Sequence, residues 1–196
     1  MKHFSKQFDL IVVGGGHAGI EAAVIAANKQ KRVALVSLDL GAIGRMSCNP
    51  AIGGLAKGQI VREIDVLGGL MGKITDQSGI QFKILNKSKG KSVWSPRAQV
   101  DKRRYEKTVS SLVLNHSHIT IVEGEAIDVL ITNYRATGVV LRGGQKILSL
   151  AVLLTCGTFL NGLIHIGQKK DSSRANGRKW RRGDYRGSFL KGFSSG

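Results

Sequence analysis

Cysteine is scarce in this chain: there are two, Cys48 and Cys156, in 196 residues. Two thiols this far apart make no disulfide framework and fit a reducing cytosol, which excludes the small disulfide-stapled secreted proteins. Long hydrophobic runs are lacking too. The apolar stretch from Leu10 to Ala27 is interrupted by His17, Glu21 and three adjacent glycines. It is neither a secretory h-region nor a membrane span, so no membrane association and a cytoplasmic location are expected. Acidic residues are few, 13 Asp and Glu against 30 Lys and Arg, for a formal net charge of +17. His116, His118 and His165 have no metal-ligand partners at useful spacing, and no metal site is expected. No internal repeat is present.

What is there suits a globular protein. The length fits one domain, or one domain plus a piece of another, and 42% hydrophobic residues supply a core. The positive charge is uneven. Residues 168–196 hold nine Lys and Arg against two Asp, with no Ile or Val and a single Leu. Such a segment cannot bury enough apolar surface to order itself. Two readings stand for the stretch from 171 to 196: a nucleic-acid tail built on Trp180, Tyr185, Phe189 and Phe193, or disorder without function. The remaining body still carries +10. Nucleic acid is the expected anionic partner; ordinary solvated basicity is the alternative.

The strongest local signal runs from Phe8 to Ala27. Leu10 to Val13 is a short β-branched run, as a buried parallel strand should be. Gly14, Gly16 and Gly19 follow at the spacing G-x-G-x-x-G, and Ala22, Ala23, Ala26 and Ala27 continue as a small-residue helix. Gly14 permits the tight turn, Gly16 lets a pyrophosphate approach the backbone, and Gly19 lets helix and strand pack closely. The helix start offers free N–H groups and the positive end of the macrodipole. This strand–turn–helix context reads as dinucleotide binding. A second strand, Arg32 to Ser37, follows. The acid that commonly holds a ribose near its end is not at Ser37; Asp39, two residues on, could reach the ribose or cap a turn.

Downstream, residues 41–58 read as a glycine-rich loop and 59–72 as a helix with Ile60, Ile64, Leu67 and Met71 on one face. Residues 73–98 look mixed and loop-rich, and 99–115 helical. Strand-like runs follow at Ile119–Glu123, Glu125–Thr132, Thr137–Arg142 and Lys146–Leu150, with a hairpin signal at Gly143-Gly144. Ala151 to Thr155 reads as a second continuous buried strand, turning out at Cys156-Gly157-Thr158. The expected class is α/β: a Rossmann-like FAD-binding fold with a parallel sheet and an inserted β-meander, truncated. The order resembles flavoproteins with two dinucleotide-binding domains, which favours FAD over NAD at the first motif.

The stretch Gly44-Arg-Met-Ser-Cys48-Asn-Pro-Ala-Ile-Gly-Gly54-Leu-Ala-Lys-Gly58 resembles the tRNA uridine 5-carboxymethylaminomethyl modification enzymes, the MnmG/GidA family. The likeness continues through Val61-Arg-Glu-Ile-Asp65, Leu67-Gly-Gly-Leu-Met-Gly72, Gly79-Ile-Gln-Phe82, Ser88-Lys-Gly90, Arg97-Ala-Gln99 and Gly157-Thr-Phe-Leu160, so it covers roughly residues 8 to 170. It departs at Lys91-Ser92, where the family usually has Pro-Ala, and after about Lys170, where the family continues for several hundred residues. The expected division is an incomplete FAD-binding domain over 1–170 and a basic tail outside the family over 171–196; the tail's composition suggests a frameshift or misread end.

The resemblance implies modification of the wobble uridine of certain tRNAs. FAD is the implied cofactor, NADH the reductant and methylenetetrahydrofolate the carbon donor. The implied partners are a GTPase, MnmE, and a second copy in a homodimer. It further implies that Gly14, Gly15, Gly16, His17, Ala18 and Gly19 hold the FAD pyrophosphate, that Ala126 offers its backbone to the adenine end, and that Gly157 and Thr158 line the other side. Cys48, in the family loop, is the candidate catalytic thiol; Cys156, on an apolar strand, reads as a core residue. Lys57 is a phosphate or substrate contact or a solvated side chain. Lys83, Lys87, Lys89, Lys91, Arg97, Lys102, Arg103 and Arg104, with Trp94 among them, are the tRNA-backbone candidates; a charged helix face would look the same. The chain by itself is expected to be incompetent for turnover. The alternatives are a non-catalytic RNA-binding fragment and a folate- and FAD-dependent tRNA uridine methyltransferase.

Overall fold

A computed structural model describes residues 7–46, 49–157, 163–166 and 169–172, the last two segments as backbone only. Cys48, Thr158 and nearly all of the basic tail lie outside the described residues.

The chain opens with β1 (Phe8–Val13), α1 (His17–Asn28) and β2 (Val33–Ser37). β1 and β2 pair in parallel, with Leu10 opposite Val33 and Val13 opposite Val36. β3 (Ala51–Gly53), α2 (Lys57–Val66), α3 (Met71–Ser78), β4 (Gly79–Leu85) and β5 (Ser95–Val100) follow, then α4 (Lys102–Leu114) and β6 (Ile119–Glu123). The chain continues through β7 (Ala126–Thr132), β8 (Arg135–Leu141) and β9 (Lys146–Leu154) to a separate hairpin, β10 (Leu163–Ile166) and β11 (Lys169–Ser172).

The main sheet has the order β6-β2-β1-β9-β8-β7. Its β6, β2, β1 and β9 run parallel, while β7, β8 and β9 form an antiparallel meander. This is the expected α/β class. Alternate residues of β1 and β2 face opposite ways. Val12, Val33 and Leu35 pack with Ile20, Ala23 and Val24 of α1 and Tyr105, Val109 and Val113 of α4. Ile11, Val13, Ala34 and Val36 pack with Val139, Leu141 and Ile147 of the meander.

Five expectations are corrected. The helix over 59–72 is two helices, because Gly68 takes φ +92° and a Cβ on Gly69 would stand 2.2 Å from Ile64 Cγ2. None of α2 is buried, and Ile60 and Leu67 of the supposed core face are exposed. Residues 73–98 are not loop-rich, and 41–58 is not wholly loop: β3, β5 and β4 form a second, antiparallel sheet. Residues 99–100 belong to β5, and α4 begins at Lys102, capped by the Asp101 carboxylate on the Arg104 N–H at 3.0 Å. Lys146–Leu150 and Ala151–Thr155 are one strand, β9, whose first part pairs antiparallel with β8 and whose later part pairs parallel with β1. Its later part is not fully buried, since Leu153 and Leu154 are exposed.

Candidate cofactor cleft and basic pocket

Residues from four chain segments meet at the carboxyl edge of the parallel strands, where ligands bind in open α/β sheets. Gly14 leaves β1 with φ +118°, and a Cβ there would lie 2.5 Å from the Thr155 carbonyl oxygen. A Cβ on Gly19 would lie 1.9 Å from the Gly14 carbonyl oxygen. Gly16 differs: a Cβ would meet nothing within 4 Å. It is the N-cap of α1 and supplies no side-chain cap, so the first-turn amides of His17, Ala18 and Gly19 are left for a ligand. Gly15 is more confined, its Cβ position 3.0 Å from Ser37 Oγ.

Thr155, which the sequence reading passed over, fastens this turn. Its hydroxyl donates to the Val13 carbonyl at 2.9 Å and sits 3.2 Å from that of Gly14. Gly157 follows directly, with φ +61°. Ala126 stands at the same edge, because the Gly124 N–H beyond β6 donates to the Ser37 carbonyl at 2.9 Å. Asp39, just past β2, accepts from the Gly41 N–H at 2.9 Å and lies 3.8 Å from Arg45. It therefore caps a turn, with its side chain half-exposed at the cleft edge.

His17 Nε2 is buried and has no hydrogen-bond partner among the described residues. Its ring lies 5.8 Å from that of Tyr105. Burial, and then the nearby Lys57 ammonium, hold the imidazole below its ordinary pKa, against a smaller opposing pull from Glu106. Burial likewise pushes the Tyr105 phenol upward. Glu106 accepts the Met46 N–H at 2.7 Å, and Ser110 donates to the Ile43 carbonyl at 3.0 Å. Two residues of α4 thus anchor the chain entering the Cys48 loop. Cys156 is half-buried against the core of the meander face, and burial raises its thiol pKa.

Lys57 is engaged rather than free: its ammonium donates to the Ala51 carbonyl at 3.0 Å. It follows a tight three-residue turn in which the Lys57 N–H donates to the Leu55 carbonyl at 2.7 Å around Ala56, whose φ is +61°. This is the strained γ-turn geometry.

A pocket of about 730 Å³ opens between α2, α3 and the antiparallel sheet, away from the glycine turn. Lys83, Lys87 and Arg97, three of the expected tRNA contacts, line it, together with Arg62. Arg62 stands apart in sequence from that basic stretch, and only the packing of α2 brings it to the pocket. Lys89 and Lys91 stand exposed on short turns beyond β4, and Lys102, Arg103 and Arg104 lie exposed on the first turn of α4. None of these five lines the pocket.

The sequence matches the family described as Glucose inhibited division protein A over residues 9–183. This chain belongs to that family. Among its relatives is the tRNA uridine 5-carboxymethylaminomethyl modification enzyme MnmG of Karelsulcia muelleri, 51% identical over 169 residues, which are 86% of this chain and 28% of that protein. The crystal structure of Aquifex aeolicus GidA superposes with a TM-score of 0.81 at 50% identity, covering 87% of this chain and 28% of that one. The fold alone is shared with the flavin-dependent brominase Bmp2, at a TM-score of 0.52 and 18% identity, over 80% of this chain and 40% of that one. The chain thus spans little more than a quarter of the length of its GidA relatives.

Proposed function

We propose that this chain is the FAD-binding part of a tRNA wobble-uridine modification enzyme, with residues 1–170 as the FAD domain and 171–196 as a separate basic segment. The observation that carries the reading is steric. Gly14 and Gly19 exclude a Cβ, while Gly16 faces open space at an uncapped helix start. A backbone cradle for a pyrophosphate needs that combination.

The amides of Gly14 to Gly19 would hold the FAD pyrophosphate, Asp39 a ribose hydroxyl, and the backbone of Ala126 the adenine end. Gly157 and Thr158 would line the opposite side. Bound FAD supplies hydride and electron transfer that no side chain offers. His17 stays neutral near pH 7, so Nε2 can donate or accept one hydrogen bond at the cleft. Cys48 is the proposed nucleophile toward the uracil ring, and Lys87, Lys89, Lys91, Arg97, Lys102, Arg103 and Arg104 are proposed to position the tRNA backbone. NADH, methylenetetrahydrofolate, the GTPase partner MnmE and a homodimer belong to the proposed whole enzyme, in the cytoplasm. The chain alone binds flavin without turnover.

The test is the visible absorption spectrum of the purified chain before and after adding FAD. A bound-flavin spectrum is expected. A folded, monodisperse protein that retains no flavin overturns the reading.

A further inference from the structure

β4 is an outer strand of the antiparallel sheet, whose order is β3-β5-β4. Among the described residues it pairs with β5 alone, so the N–H and C=O groups along its other edge meet no strand. Ile80, Phe82 and Ile84 of this strand are 68%, 62% and 42% exposed. Strand alternation sends Phe82 and Ile84 to the side that faces α2 and α3. There, with Ile52, Val61 and Ala98, they line the pocket of about 730 Å³. The Lys83 side chain leaves from the opposite side of the sheet, where it stands across from Arg97 of β5. Like charges at such a position oppose each other. The ion pairs among the described residues are Arg32–Asp9, Arg45–Asp39 and Arg142–Glu125, and none neutralises these two cations.

An open edge beside an apolar groove is the arrangement that accepts an added strand. Main-chain hydrogen bonds supply affinity, and alternate side chains supply specificity. The charge pattern says which strand. Residues of the added strand that lie opposite Phe82 and Ile84 enter the groove, so apolar ones fit. The residue opposite Lys83 emerges on the other side, next to two cations, so an acidic one fits. A second copy of β4 fits poorly, because it brings another lysine and no acid. A lysine on an edge strand is itself a guard against self-pairing, and it selects for an acidic partner by repelling basic ones.

We propose that the free edge of β4 docks an extended segment of a partner protein in which apolar and acidic residues alternate, the apolar side chains filling the groove and an acidic one pairing with Lys83. The inference goes beyond the flavin and tRNA reading and depends on neither.

The probe is a fluorescently labelled seven-residue peptide of alternating valine and glutamate, as long as β4. Its anisotropy is followed against the full chain at about 0.15 M salt, which screens diffuse attraction to the basic surface. Saturable binding is expected, and the same residues arranged in two blocks should bind at least tenfold more weakly. In a strand, alternate amides point to the same edge. N-methylation of one alternate set should therefore abolish binding while N-methylation of the other set leaves it. Lys83→Glu should weaken binding about tenfold, the effect of turning one cross-strand attraction into a repulsion. Lys146→Glu makes the same charge change at the exposed start of β9 and should leave binding unchanged.

Equal binding of the block peptide, or equal weakening by Lys146→Glu, would reduce the effect to diffuse charge and overturn the proposal. So would equal tolerance of the two N-methylated sets, or absence of binding to a chain whose circular dichroism is native. Amides of β4 that exchange more slowly as the peptide-free chain is concentrated would make a second copy the occupant and overturn it too.

Discussion

At the turn after β1, a single methyl group separates a folding defect from a binding defect. Gly14→Ala and Gly19→Ala drive a Cβ into backbone at 2.5 and 1.9 Å. Each should destabilise the chain by about 2 kcal/mol or more, as overpacking does, which urea unfolding would read. Gly16→Ala places its methyl in open space and costs about 0.5 kcal/mol as a poorer N-cap. It should nonetheless weaken FAD binding at least tenfold, measured by flavin titration, because the added carbon occupies the pyrophosphate's approach. His17 gives a pH signature. Its folded pKa is depressed by burial below 6.5, so below that pH the unfolded chain binds more protons than the folded one. Its contribution to stability is therefore present above about pH 6.5 and is lost as pH falls through the folded value. Urea midpoints across pH 5–8 should show that loss, and His17→Gln should flatten it.

Elements are tied together by side chains that secondary-structure patterns do not announce. Glu21 of α1 accepts the N–H groups of Leu70 and Met71, at 2.9 and 2.6 Å, and so caps α3 from another helix. Glu21→Ala should cost about 1–2 kcal/mol, as lost N-caps do, and should speed amide exchange at residues 70–74 before the rest of the chain opens. The sequence showed β1, α1 and β2 because strand period, glycine spacing and small-residue helix agree there. It concealed β4 and β5 because their inward alternation is weak. β4 buries no residue fully, and β5 buries small or polar ones such as Ser95 and Ala98. It also made α2 look like a core helix. Apolar periodicity reports an amphipathic face, and only packing decides whether anything covers it.

For the whole molecule, the uncovered apolar surface is the governing feature. Val66 and Leu67 at the end of α2 are 88% and 74% exposed, and Leu150 of β9 is 68% exposed. Exposed apolar side chains of this size favour association. Light scattering should show the isolated chain associating as its concentration rises, and Leu150→Lys should reduce that without changing flavin uptake. The sequence by itself determined the α/β class, the glycine turn and the family, because each rests on local spacing along the chain. It also singled out Lys83, Lys87 and Arg97, though as parts of a linear basic stretch. Only the tertiary structure separated those three from Lys102, Arg103 and Arg104, brought Arg62 to them, and set Thr155 on the glycine turn. The reason is physical: strand register and helix docking join residues far apart in the chain, and no local pattern encodes which pairs will meet.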